Sequence, residues 1–242
     1  MQELAILASR AMTTMRKFNA VSDNIANINT DGYRRKDYEF KELVSRPDGI
    51  NPTASYVGDR AVIIDYSDGV LTETGNPFNA AIGGEGFFAV DVNGTTQYTR
   101  RGHFLMATDG TLVTPEGHPV LDNSGGQIQL PPDTTQVIIG RDGSIATEQG
   151  QIGRLGVFGF SDEDKGLLQR AGNTGFIPTQ GASAQPLENP VVYQGKIEAS
   201  NVSPVMEMVT MQDVARSYQS AVRALRGLED TEQRAIRTLA PQ

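Results

Sequence analysis

Apolar side chains recur at three-and-four spacing along the first stretch of the chain, in the order Leu4, Leu7, Ala11, Thr14, Phe18, Val21, Ile25 and Ile28, with Thr14 the one polar member. That spacing keeps a stripe on one face of an α-helix, so residues 2–28 are expected to form a helix of about seven turns. No Gly or Pro interrupts it. The run Asn27-Ile28-Asn29-Thr30-Asp31-Gly32 then supplies the positive-φ residues that a helix exit requires. Near the other end the pattern returns in Met208, Met211, Ala215, Tyr218, Val222 and Leu225, lapses at Glu229 and Glu232, and resumes at Ile236 and Leu239. A second helix is therefore expected from about residue 202 to near Leu239, with Pro204 in its first turn.

Between these helices the pattern changes. Asp-Gly falls at 68–69, 109–110 and 142–143, Asn-Gly at 93–94, and Gly pairs at 83–84 and 125–126. Turn dipeptides between short apolar runs are the pattern of hairpins. Expected strands are Phe87-Phe88-Ala89-Val90, Gln97-Tyr98-Thr99-Arg100, Thr111-Leu112-Val113, Gln127-Ile128-Gln129-Leu130, Val137-Ile138-Ile139, Ser144-Ile145-Ala146 and Leu155-Gly156-Val157-Phe158. Residues 161–195 read as loop with a few edge strands, opening on an acidic turn at Ser161-Asp162-Glu163-Asp164. After Gly32, Tyr38, Phe40 and Leu43 lie in an alternating stretch that is extended or briefly helical. Pro47-Asp48-Gly49 and Asn51-Pro52 mark a loop, and Ala61 to Ile64 reads as a strand. The expected class is α+β, with paired, coiled-coil-like terminal helices flanking an all-β centre. Residues 1–32 with 198–242 would form the helical domain, 33–65 an extended connection, and 66–197 the β domain.

Composition narrows the function. With 242 residues and 38% hydrophobic content the chain can build a core. A formal net charge of −8 and the lack of a basic cluster exclude nucleic acid as the expected partner. Most of the acidity sits in the middle; residues 1–28 carry Glu3 and Asp23 against Arg10, Arg16 and Lys17. Nearly neutral helices suit packing against other helices. Without cysteine there is no disulfide, thiolate nucleophile or sulfur-ligated metal. No apolar run reaches about 18 residues and the start lacks the layout of a cleaved secretory signal, so neither membrane insertion nor signal cleavage is expected.

The segment Asp23-Asn24-Ile25-Ala26-Asn27-Ile28-Asn29-Thr30-Asp31-Gly32-Tyr33 closely resembles the signature of flagellar axial proteins, the rod and hook subunits. The resemblance continues, in the same order, through Gly86 to Val90, Tyr98 to Phe104, Asp109 to Thr114 with Gly117, then Ser200-Asn201-Val202 and Glu207-Met208-Val209. Chain length and the segments Ile152-Gly153-Arg154-Leu155 and Leu168-Gln169-Arg170 are most like the proximal-rod branch, with the distal-rod branch as the alternative. The resemblance implies a non-enzymatic subunit of the basal-body rod. It would polymerise through its terminal helices into a helical tube that transmits torque and surrounds an export channel. Implied partners are further copies of the chain, neighbouring rod proteins and the flagellar type III export apparatus, and the implied location is the periplasmic rod.

The expected assembly surface is Leu4, Leu7, Ala11, Met15, Phe18, Val21, Ile25 and Ile28 with Met208, Met211, Ala215, Tyr218, Val222 and Leu225. Leu4, Leu7, Met12, Met15 and Phe18 together span more than one stripe, so a single partner helix cannot cover them. Asn24, Asn27, Asn29, Thr30, Gly32 and Tyr33 read as a hinge that fixes the angle between helix and β domain. No catalytic, cofactor or metal residues are expected. His103 and His118 stand beside Gly in hairpins, the Asp162–Asp164 run lacks the alternating ligands of a calcium loop, and Gly83-Gly84-Glu85-Gly86 is not followed by Lys-Ser/Thr. The rival class, a glycan-binding or hydrolytic β-domain, is disfavoured by the absence of Trp.

Overall fold

The structure, a computed structural model, describes residues 2–45, 54–131, 134 and 136–239, and side chains within 7–38, 62–131, 134 and 136–227. In chain order the elements are α1 (Gln2–Ala26), β1 (Lys36–Ser45), β2 (Ala54–Ile64), β3 (Leu71–Glu73), β4 (Ala80–Gly83), β5 (Phe87–Val92) and β6 (Thr95–Thr99). Then follow β7 (Leu105–Met106), β8 (Leu112–Val113), β9 (Val137–Ile139), β10 (Ser144–Thr147), β11 (Gly150–Arg154), β12 (Val157–Gly159) and α2 (Asp162–Lys165). The last are β13 (Leu168–Ala171), β14 (Gly175–Pro178), β15 (Gln185–Pro186), β16 (Val191–Gln194), β17 (Lys196–Glu198) and α3 (Pro204–Leu239). This is an α+β chain with terminal helices and a β-rich middle.

Two compact units divide it. The first comprises residues 1–26, 35–65 and 203–242, and the second residues 27–34 and 66–202. In the first, α1 packs on α3 and on the antiparallel pair β1–β2, which slips register between Glu39 and Phe40. The segment expected to be an extended connection thus folds back on itself as two long strands that share a unit with the helices. Charge divides unevenly between the units. Residues of the second carry sixteen acidic and eight basic side chains, whereas the first carries thirteen of each. The helical unit is therefore free of net self-repulsion.

The second unit centres on a six-stranded antiparallel sheet in the order β13-β14-β6-β5-β12-β15, beside a three-stranded sheet β11-β10-β9 and the pairs β16-β4, β17-β3 and β7-β8. The β5–β6 hairpin closes as its sequence requires. Asn93 and Gly94 take φ of 54° and 80°, the positive values that a two-residue turn needs. Asp91 Oδ1 accepts the Gly94 N–H at 2.7 Å. Ile82, Phe88, Val90, Phe104, Leu112, Val120, Leu155 and Val157 are among the buried cluster at the core.

The strand expected at Gln127–Leu130 is reduced to single bridges, Thr111 to Gln129 and Leu121 to Gln127. Ile128 between them accepts the Leu112 N–H of β8 at 2.9 Å and donates to the Val120 carbonyl at 3.2 Å, so the segment bonds to two different neighbours in turn and builds no continuous ladder with either. The acidic turn is a helical turn instead. Ser161 Oγ accepts the Asp164 N–H at 3.1 Å, and acidic side chains suit the positive end of a helix. Residues 168–194, read as mostly loop, supply β13 to β16.

Candidate assembly interface

Helix α1 turns one side inward, where Ala20, Val21 and Asn24 are buried. Leu7, Ala11, Phe18 and Ile25 are half-buried along the expected stripe, and Ile28 is half-buried in the second unit. The Leu4 side chain lies outside the described residues. Met12, at 66% exposure, and Met15 face away from that side. On α3 the buried line runs through Glu207, Val214 and Ala221, at sevenfold spacing and one residue before the expected Met208, Ala215 and Val222. Met211, Ala215, Val222 and Leu225 flank it half-buried, while Met208 (56% exposed), Tyr218 (38%), Val205, Met206 and Val209 remain open. Both helices thus carry more apolar surface than their own unit covers, and its methionines are adaptable contact residues.

Two polar devices fix the helix ends within this unit. The buried Asn24 amide grips the backbone of Lys36 on both sides: Nδ2 donates to the Lys36 carbonyl at 2.8 Å, and Oδ1 accepts the Lys36 N–H at 3.0 Å. Beside it Lys36 pairs with Asp23. Arg35 Nε reaches Glu207 Oε1 at 2.6 Å, joining the start of β1 to the first turn of α3. The bond to Glu207 holds the Arg35 guanidinium above its usual range, against the opposing effect of burial.

The remaining motif residues belong to the second unit. Asn27 accepts Thr30 twice, its carbonyl taking the Thr30 N–H and its Oδ1 the Thr30 hydroxyl; Asn29 is exposed. Gly32 is obligatory on two grounds. Its φ is +69°, and a Cβ there would stand 2.4 Å from the Arg101 nitrogen and 2.6 Å from the Arg100 carbonyl carbon. Tyr33 is buried beneath Arg170, whose guanidinium lies 4.6 Å from the ring centre, a cation–π distance.

Next to this turn is a cluster that the sequence did not announce. Arg34, 1% exposed, donates to Glu198 Oε1 at 2.7 Å, and Arg100 donates to Glu198 Oε2 at 3.1 Å. Asp68 Oδ1 bridges the second nitrogens of both arginines at 3.4 and 3.1 Å. Burial pulls the Arg100 guanidinium below its usual range, opposed chiefly by the charge of Glu198. Charged side chains are rarely fully buried, so nothing in composition or spacing singled these out. The adjacent Arg34-Arg35 after Gly-Tyr is the only hint.

His103 and His118 are half-buried in the β unit. Among the described residues no group of three His, Asp or Glu side chains could hold a metal ion. Nor is any described helix long and apolar enough to cross a membrane.

Three segments of the chain match family descriptions: residues 4–34 the flagella basal body rod protein, 81–147 the flagellar hook protein FlgE/F/G D1 domain, and 193–238 the flagellar basal body rod FlgEFG protein C-terminal domain. The flagellar basal-body rod protein FlgF of Caulobacter vibrioides is 34% identical over 235 residues, 96% of this chain and 95% of its own. FlgF of Mesorhizobium japonicum is 34% identical over 98% of this chain and 97% of its own. FlgG of Bacillus subtilis is 32% identical over 84% of this chain and 86% of its own. With likeness of this extent from end to end, the chain belongs to the flagellar basal-body rod protein family.

Proposed function

We propose that the chain is a structural, non-enzymatic subunit of the flagellar basal-body rod, of the FlgF kind. The observation that carries the reading is the uncovered apolar surface of α1 and α3, in a member of this family. Exposed Met12, Met15, Met208 and Tyr218, with the half-buried Leu7, Phe18, Met211, Val222 and Leu225, form the contact surface for further copies and for neighbouring rod proteins, packing as coiled-coil-like layers. Each large side chain covered by a neighbour contributes on the order of 1.5–3 kcal/mol. A head-to-tail contact that does not close on itself propagates as a helix, and a helix of subunits is a tube able to surround a channel and transmit torque.

Subunits reach the periplasm through the flagellar type III export apparatus. Asn24, Asn27, Asn29, Thr30, Gly32 and Tyr33 act as the hinge between the N-terminal helix and the β region, and residues 1–32 with 198–242 serve as the assembling part. The distal-rod FlgG role is the second reading, and the shorter reach of the FlgG match supports it less. The test is complementation of a strain lacking its FlgF. Restored swimming, with the tagged chain at the proximal end of purified rods, is the expected result; a distal position assigns the FlgG role, and absence from rods ends the proposal.

A further inference from the structure

Four peptide links join the two units, after Ala26, Arg34, Asp65 and Val202. Within the β unit, the segments at these links are tied to one residue, Glu198. Its carbonyl accepts the Gly32 N–H at 2.7 Å. Its wholly buried carboxylate accepts Arg34 at 2.7 Å, Arg100 at 3.1 Å and the Gly69 N–H at 2.7 Å. Thus the segment ending at Arg34, the segment beginning at Tyr66 and the segment ending at Val202 meet at one side chain, and Arg100 ties that side chain to β6. Arg34 also donates to the Ser67 carbonyl, which accepts Asn201 Nδ2 as well, at 3.0 Å.

We propose that Glu198 is the positioning residue of the β unit, the point that holds its outgoing chain segments in one fixed arrangement so that force entering along them moves the unit as a whole. The proposal rests on the rod reading for its purpose, and on the geometry alone for its existence. Two features separate this role from ordinary core stability. Glu198 is held by Arg34, Arg100 and the Gly69 N–H, and its cluster reaches the apolar core where Arg100 donates to the Ile82 carbonyl at 3.4 Å, not at Phe88, Phe104 or Leu155. In a buried ion cluster, moreover, desolvation offsets much of the attraction, whereas removing one charge leaves the others unmatched, so its effect is felt where those partners sit. Glu198→Gln keeps the shape and withdraws the charge, leaving half-exposed Asp68 as the one carboxylate paired with Arg34 and Arg100, beside the Ser67 carbonyl that accepts Arg34 and the Ile82 and Gly84 carbonyls that accept Arg100. Each arginine also has a buried Nε without a partner, so neither has a second protein acceptor to fall back on at that atom.

The experiment is amide exchange on the purified full-length chain, wild type against Glu198→Gln and Arg34→Lys. Exchange at Gly69, whose N–H loses its carboxylate acceptor, is expected to rise about tenfold or more, and exchange at Gly32, held by the Glu198 backbone carbonyl, to rise less as that backbone loosens, while Phe88 and Leu155 keep their wild-type rates. Arg34→Lys, a single point donor in place of a fork, gives a smaller rise at the same two amides. Unchanged rates at Gly32 and Gly69 overturn the proposal. So does an equal rise at Phe88, which makes Glu198 an ordinary stabilising residue. In cells lacking FlgF, the wild-type chain restores swimming and the Glu198→Gln chain restores less. If the wild type fails to restore swimming, the rod reading fails while the exchange result still decides the coupling; if both restore it equally, the mechanical role is refuted.

Discussion

Adding one methyl group at Gly32 tests whether the turn after α1 is set by backbone contact rather than by its asparagines. Alanine at φ of +69° lies in the left-handed region, which costs about 1–2 kcal/mol. The new Cβ would meet the Arg101 nitrogen at 2.4 Å and the Arg100 carbonyl carbon at 2.6 Å. Those are backbone atoms, and the Arg100 side chain is anchored on Glu198, so relief requires moving the chain; overpacking of this kind costs about 1–3 kcal/mol. Gly32→Ala is therefore expected to destabilise the β unit by about 3 kcal/mol, roughly a hundredfold in its folding constant. Gly94→Ala is the control, with φ of +80° and nothing within 4 Å of its Cβ, so only the conformational cost of about 1–2 kcal/mol remains. Urea unfolding followed by the near-UV circular dichroism of the tyrosines measures both. Equal losses for the two variants would refute the contact argument.

Three further outcomes follow from other parts of the molecule. Phe18→Asp, at a half-buried position of α1, leaves the β unit's amide exchange unchanged but keeps the chain out of rods, because a charge in a packed seam is costly; normal swimming in that variant contradicts the seam. Arg35→Met leaves the 2%-exposed Glu207 without its partner and loosens α3 by on the order of 3 kcal/mol, whereas Arg35→Met with Glu207→Leu recovers most of it, as read by amide exchange at Val214. Burial pushes the Tyr66 hydroxyl, which donates to the Lys165 carbonyl at 3.1 Å, up to about 12. A raised folded-state value favours the protonated fold, so this contribution is intact below the ordinary tyrosine value of 10.0 and is lost as pH climbs to about 12. Ultraviolet titration of Tyr66→Phe should lack the phenolate step at about 12.

The helices, the Asn93-Gly94 hairpin and most of the β strands could be read from periodicity and turn dipeptides, because those signals are local. Strands β4, β16 and β17 are not legible locally because their partners are distant in sequence, Ala80–Gly83 pairing with Val191–Gln194 and Leu71–Glu73 with Lys196–Glu198, whereas β13 and β14, in the region read as loop with a few edge strands, pair with each other as a local hairpin. On α3, spacing of three and four allows neighbouring phases of one stripe, and packing chose Glu207, Val214 and Ala221 over Met208, Ala215 and Val222. An inward glutamate is chosen only because Arg35 meets it, and that meeting spans 172 positions. Arg34, Arg100 and Glu198 were illegible for the same reason. Of the Asn-rich motif, Gly32 was legible as a positive-φ stop, but the backbone grip of Asn24 on Lys36 depends on the fold-back of β1.

Oxidative footprinting of methionines in isolated basal bodies, compared with the purified chain, bears most directly on the assembly surface. Met12, Met15, Met206 and Met208 stand open in the chain alone, and Met106 in the β unit is a half-buried internal reference. In rods the four should become no more reactive than Met106. Methionines on both helices that oxidise in the rod as readily as in the free chain would contradict assembly through α1 and α3.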